Sequence, residues 1–188
     1  MSDLLAIVHN LNRLAALGRT GLLDSPPEEP FDRLTRLATR LLKTPVALVS
    51  LVDRDRQFFK SAIGLPEPWQ TRRETPLTHS FCKHVVAIDE PLVIPDTRKD
   101  PVYRDNPGVR DLKIVAYAGI PLTMAGFSLG AFCVIDDEPR AWSYDEVQTL
   151  RDLAACAMRE IELRTRLREV ESAWRGAAAR LRELEHQP

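Results

Sequence analysis

Cys82 and His84 stand two residues apart in Ser80-Phe81-Cys82-Lys83-His84, where a thiol and an imidazole offer the sharpest chemistry in this sequence. A charged imidazole beside a thiol lowers its pKa and makes a redox sensor, and the two together can bind a metal. On a helix they diverge by roughly 200° around the axis, whereas in a loop or strand they share a face. The competing reading makes Cys82 a small buried hydrophobe and His84 a hydrogen-bonding helix anchor. A metal site needs more ligands and only His79 lies nearby, so none is expected. With Cys133 and Cys156 the chain has three cysteines, without CxxC or zinc spacing, a usage that fits a reducing compartment.

Asp96, Tyr103, Asp105, Asn106 and Arg110 fall in a stretch dense in Asp, Pro and Asn. They offer polar contacts to a small ligand; equally, aspartate and asparagine beside prolines bond their own backbone in turns. Phe58, Phe59, Phe81 and Tyr117 are core residues or a platform for a ligand. Trp69, in a proline-rich segment, is a lid or an isolated surface ring.

The elements that must position these groups are legible from periodicity. Residues 3–17 read as one helix, with Leu4, Val8, Leu11 and Ala15 recurring at helical spacing and Gly18 as its stop. Ser25-Pro26-Pro27-Glu28 has the form of a capping box, opening a second helix with Phe31, Leu34, Leu37, Ala38, Leu41 and Leu42 inward. Val46–Val52 is a short apolar run, the mark of a strand buried on both faces, and 57–62 is its hairpin return. Residues 64–79, with Gly64, Pro66, Pro68 and Pro76, read as irregular. A short helix is expected over 80–87, with Phe81, Val85 and Ile88 inward. Strands are expected over 91–95, 117–122 and 128–136, with 109–114 undecided between helix and strand. Ser143-Tyr144-Asp145-Glu146 is a second capping box. It opens a helix whose Val147, Leu150, Leu153, Ala154, Ala157 and Ile161 face a sheet. Beyond it, Leu163, Leu167, Val170, Trp174, Ala177, Leu181 and Leu184 alternate by fours and threes, a coiled-coil seam that needs a partner helix.

This order predicts an α+β fold, an antiparallel sheet flanked by helices, rather than alternating βαβ units. Of 188 residues, 44% are hydrophobic and 28% charged, and the net charge is −1. A sizeable core is possible, and nothing draws the chain to nucleic acid or an anionic membrane. No apolar run is long enough to span a bilayer, and Met1-Ser2-Asp3 lacks the basic start of a signal peptide, so a cytoplasmic location is expected.

In sequence order, several segments together resemble the GAF domain family, in particular the N-terminal modules of bacterial sensor kinases and diguanylate cyclases. They are Leu17–Leu23 with Asp24-Ser25-Pro26-Pro27-Glu28 and Phe31-Asp32, then Pro45–Asp53, Asp55–Lys60 and Gly64-Leu65. Ser80–His84, Leu92–Asp96, Asp105-Asn106-Pro107, Tyr117–Leu122 and Leu129–Asp136 complete the series. The resemblance covers 17 to about 160 and implies a GAF/PAS-like antiparallel sheet of about six strands, with a long C-terminal coiled-coil helix. A pocket is implied beneath the irregular segment and the long loop, where relatives hold cyclic nucleotides, bilins, haem or small metabolites. For this chain it names no cofactor. Tentative ligand-binding residues are Phe58, Phe81, Cys82, His84, Asp96, Tyr103, Asn106 and Tyr117.

The organisation expected is an N-terminal dimerisation helix over 1–18, the GAF domain over 19–162 and a signalling coiled coil over 163–188. Leu4, Val8, Leu11, Leu163, Leu167, Val170, Trp174, Leu181 and Leu184 would pair two copies in a bundle. The expected function is non-catalytic sensing of a small molecule or of redox state, relayed through that dimer to a kinase, cyclase or phosphatase output. Covalent bilin attachment is disfavoured, because Lys83 separates Cys82 from His84 and both precede Ile94-Pro95-Asp96, unlike the phytochrome pattern. The family's free methionine-(R)-sulfoxide reductases need a nucleophilic cysteine in the loop 96–114, which has none here. That enzyme and a ligand-free dimerisation module are the alternatives.

Overall fold

The computed structural model describes residues 2–185, with side chains described for 3–178, 180 and 182. Six strands form one antiparallel sheet in the order β3-β2-β1-β6-β5-β4. They are β1 (Val46–Val52), β2 (Arg56–Ile63), β3 (Glu74–Pro76), β4 (Leu92–Ile94), β5 (Ala116–Met124) and β6 (Phe127–Asp136). The helices are α1 (Ser2–Val8), α2 (Leu11–Thr20), α3 (Glu29–Leu42), α4 (Trp69–Arg72), α5 (Cys82–Ile88), α6 (Pro107–Asp111) and α7 (Tyr144–Glu185).

Alternation along the central strands splits the core in two. Ala47, Val49 and Leu51 join Phe132 and Val134 beneath α2, α3 and α7. Val46, Leu48 and Val52 join Ala131, Cys133 and Ile135 beneath α1 and α5. Every residue of β1 is buried, as a strand covered on both faces requires.

The helix expected over 3–17 is two. Asn10 ends α1 and caps α2, its side-chain oxygen accepting from the backbone N–H groups of Asn12 and Arg13. The buried Arg13 guanidinium seals the break, donating to Val8 O (2.9 Å) and to Val52 O on the sheet (2.8 Å). The chain therefore changes faces here: Val8 lies in the core below α5, Ala16 and Leu17 in the core below α7.

The first capping box does not form. Glu28, not Ser25, is the N-cap of α3, with no side-chain cap bond, and Ser25 and Glu28 turn instead to the buried ammonium of Lys60. In α3, Leu37 and Leu41 are exposed, while Thr35 is buried and hydrogen-bonds Ser61 of β2 (2.8 Å). The second box forms as expected: Ser143 N–H donates to Glu146 Oε2 (2.7 Å) and Glu146 N–H donates to Ser143 Oγ (3.2 Å). The segment 64–79 is more regular than its prolines suggested, holding α4, the edge strand β3 and a 3₁₀ turn over Leu77–His79. Of the undecided stretch 109–114, residues 109–111 complete α6, and Ile88 is exposed rather than inward.

Gly130 on β6 lets two backbones approach; a Cβ there would stand 1.9 Å from the Ser50 carbonyl oxygen on β1. Gly130→Ala should therefore destabilise the fold by about 1–3 kcal/mol through forced separation of the central strands. The check is the urea midpoint, and an unchanged midpoint would show that β1 and β6 can give way.

Candidate functional site

The face beneath α5 and the loop 95–115 brings together most of the residues singled out from the sequence. Cys82, the first residue of α5, places its sulfur 3.3 Å from the Tyr117 hydroxyl of β5 and 3.7 Å from the Cys133 sulfur of β6. Phe81, Cys82 and Tyr117 are each only 1% exposed, and Cys133 is fully buried. Gly119 makes room for this arrangement, since a Cβ there would lie 2.4 Å from the Tyr117 hydroxyl oxygen. The expected pocket is thus occupied by the chain's own side chains. At the rim of this face Pro45, Gly64, Pro66, Leu112 and Ile135 leave a cavity of about 190 Å³, below the size usual for small-molecule sites.

Cys82 and His84 do not act as a pair. Helical spacing sends them apart, Cys82 to the core and His84 to a half-buried position where its ring meets Tyr103 edge-on at 5.0 Å. Burial, aided by the neighbouring Lys83 ammonium, pushes the His84 pKa down to about 4, so near neutral pH it is uncharged and gives no cation to a thiol. Tyr103 also stacks on Phe81 at 5.5 Å, closing the top of the core. Trp69 packs on His79 at 5.4 Å, and His79 Nε2 lies 3.1 Å from Asp111 Oδ2, which ties α4 to α6 across the same face.

Three of the expected site residues are engaged elsewhere in the fold. Phe58 lies in the opposite core, under the helices, and Phe59 faces α5 instead, because alternate residues of a strand face opposite ways. Asp96 does turn chemistry: its carboxylate accepts from the Arg98 side chain (2.8 and 3.0 Å) and backbone. Asn106 caps α6, accepting from the Gly108 N–H (2.8 Å).

The helix residues also divide. Val8 is fully buried in the chain's own core and Leu4 packs against it, so neither is a free bundle contact, whereas Leu11 is exposed. Leu163, Leu167, Val170 and Trp174 on α7 are 66%, 57%, 65% and 70% exposed. Leu181 and Leu184 lie outside the described side chains.

Sequence reasoning missed two polar assemblies. Lys60 is the extra residue of a β-bulge opposite Val49 and Ser50, and it turns wholly buried into the helical layer. There its ammonium meets Ser25 Oγ and Pro26 O (2.7 Å each) and the Glu28 carboxylate, which Arg164 of α7 also engages. Arg140, before α7, binds Asp136 (2.8 Å), Glu146 (2.5 Å) and the Leu42 carbonyl (2.5 Å). The available sequence signal was a lysine directly after Phe58-Phe59 in the middle of an expected strand.

A His84 pKa below that of the unfolded chain means that between about pH 4 and about 6.5 the unfolded chain binds the extra proton. Stability from this group is then complete above about pH 6.5 and is lost as pH falls toward 4. Histidine NMR titration should find one ring still neutral at about pH 5, and the acid loss should shrink in His84→Phe. A ring titrating near its ordinary value would contradict the burial seen here.

Comparison with known proteins matches this architecture. The GAF domain family matches residues 26–161. The chain is 40% identical over 131 residues to the cyclic di-GMP phosphodiesterase PA2567 of Pseudomonas aeruginosa, covering 69% of this chain and 22% of that protein. Among solved structures, the GAF domain of a Coxiella burnetii phosphoenolpyruvate-protein phosphotransferase aligns with a TM-score of 0.62 at 16% identity. That alignment covers 85% of this chain and 96% of the other. The Thermosynechococcus elongatus PixJ GAF domain, in its blue-light absorbing form, aligns with a TM-score of 0.61 at 18% identity, covering 96% and 99%. At such identities the two structures speak for the fold alone, and the chain spans less than a quarter of its Pseudomonas relative. The family match over most of the sheet and its helices is sufficient by itself: this chain belongs to the GAF domain family, a domain of signalling proteins.

Proposed function

We propose that the chain is a non-catalytic regulatory module that pairs with a second copy through α7 and controls an attached or associated output. The carrying observation is the exposed seam Leu163, Leu167, Val170 and Trp174, on a helix whose earlier turns, through Ile161, are buried against the domain. Burying such side chains is worth roughly 1.5–3 kcal/mol each, so a second α7 is the natural cover. Helix α2 packs on the same helix and carries the exposed Leu11 and Gly18, which has open space around it, a surface that fits a bundle of four. The break at Asn10, which sends α1 into the domain's own core, favours α2 over α1 for that role.

Two anchors hold α7 to the domain, one at the loop that borders the α5 face and one in the helical layer. At the start of α7, Trp142 Nε1–H donates to Ile94 O (3.3 Å) and Arg140 N–H donates to Pro95 O (3.0 Å), both at the entry to the long loop. In the first turn of the free seam, beside Leu163, Arg164 shares Glu28 with the buried Lys60. Movement of the loop would shift the first anchor relative to the second, and a paired helix turns such a shift into a change of register. The 40% identity to a cyclic di-GMP phosphodiesterase supports an output of that kind, beside the kinases and cyclases that carry similar modules.

A second reading, a dimerisation module without a small-molecule ligand, is favoured by the filled space around Phe81, Cys82 and Tyr117. Native mass spectrometry separates the two, since a retained small molecule supports sensing by binding and a bare dimer supports the second. Sedimentation should show a dimer at micromolar concentration. Leu167→Glu should weaken it at least tenfold while leaving the thermal transition of the domain in place. A monomer at high micromolar concentration rules out both readings.

A further inference from the structure

The geometry points to Cys82 and Cys133 as a dithiol that closes to an intramolecular disulfide when a hydroperoxide reaches the α5 face. Taken with the relay proposed above, on which this second step rests, the pair is the module's input. The two cysteines are 51 residues apart in sequence, on α5 and β6, yet their sulfurs touch at 3.7 Å. A disulfide needs about 2.05 Å between sulfurs, a closure of side chains already in contact rather than a rearrangement of the sheet. The remaining thiol, Cys156, is exposed on α7 and plays no part.

The two thiols are unequal, as a two-step oxidation requires. Burial opposes a Cys82 thiolate, but donation from Cys133 and Tyr117 outweighs it and holds this thiol below its ordinary pKa. Burial and the adjacent Cys82 push Cys133 well above its ordinary value, so it keeps its proton. The Ser50 hydroxyl of β1 is also buried here without a hydrogen bond of ordinary geometry, which leaves a polar group free beside the developing sulfenic acid.

In the first step the Cys82 thiolate attacks one peroxide oxygen, the O–O bond breaks, and Cys82 becomes a sulfenic acid as hydroxide leaves and takes up a proton. In the second, the Cys133 sulfur attacks the Cys82 sulfur. The S–O bond breaks, and the departing hydroxide takes the Cys133 proton to leave as water. Two thiols lose two electrons in all, and one hydroperoxide is reduced. Hydrogen peroxide, with only two heavy atoms, enters by local opening where half-buried Tyr103 and His84 cover the core. Closure removes the thiol that faces the Tyr117 hydroxyl and draws on the first residue of α5, next to the Phe81–Tyr103 stack.

The test uses the full chain carrying Cys156→Ser, exposed to hydrogen peroxide, alkylated in denaturant and counted for free thiols. The count should fall from two to none, peptide mass spectrometry should find Cys82 joined to Cys133, and dithiothreitol should restore both. Cys133→Ser, which keeps a donor beside Cys82 but leaves it without a thiol partner, should instead accumulate a sulfenic acid that dimedone traps at Cys82. A count that stays at two, or Cys82 passing to sulfinic acid with Cys133 still reduced, overturns the inference whether or not the Cys133 variant folds. Sedimentation of both redox forms separates the two proposals. A disulfide in a chain that is monomeric throughout supports the redox site and sinks the relay, and a stable dimer with unreactive thiols does the reverse.

Discussion

The structure depends on β1 and β6 lying side by side at the centre of a sheet that is covered on both faces. Two such strands have no solvent side, so nearly every residue along them is apolar or very small. Their close approach at Gly130 and Ser50 leaves little freedom in register. A slip by one residue would exchange the two cores, moving Val49 and Leu51 to the α5 face and Leu48 to the helices. The positions of Cys133 and Ser50 on one face follow from this register, and the pairing of β5 with β6 adds Tyr117.

Covering two faces obliges the chain to go around the sheet. The crossing at Asn10 does so at the N-terminus, and buried arginine seals it. Arg13 serves the last carbonyls of α1 and β1 at once, which is why a fully buried guanidinium is tolerated there: its donors are matched to backbone acceptors. Burial still pulls its pKa below the ordinary arginine value, though it stays charged. The same principle governs Lys60, whose three acceptors, Ser25, Pro26 and Glu28, all come from the loop between α2 and α3. Glu28 joins that buried charge to Arg164, so the domain and the long helix share one ionic contact at the point where α7 leaves the body.

The two faces differ in character. The helical face is an aliphatic and aromatic core with polar bridges to α3 and α7. The α5 face holds sulfur, phenol and imidazole in a layer closed by Tyr103. A GAF domain that holds a ligand must keep space on that face; this one fills it with Phe81 and Tyr117. The physical consequence is that chemistry at the thiols, or displacement of Tyr103, changes packing directly, without a ligand having to occupy a preformed cavity.

Periodicity in the sequence by itself determined every strand but the edge strand β3, the long terminal helix and the exposed seam, because burial on both faces and heptad spacing leave direct marks in residue type. The capping box at Ser143 was legible for the same reason: its bonds are local. What failed were the places where a distant group outcompeted a local one. Ser25 and Glu28 have the right spacing for a cap, yet a buried ammonium from β2 took both. Residues 3–17 have one helical period, yet Asn10 broke it so that α1 and α2 could serve different cores. Phe58 and Phe59 could not be told apart until strand parity fixed which faced α5. The pairing of Cys82 with Cys133 rather than His84 belongs to tertiary structure alone, since only the docking of α5 on β6 brings two thiols so distant in sequence into contact.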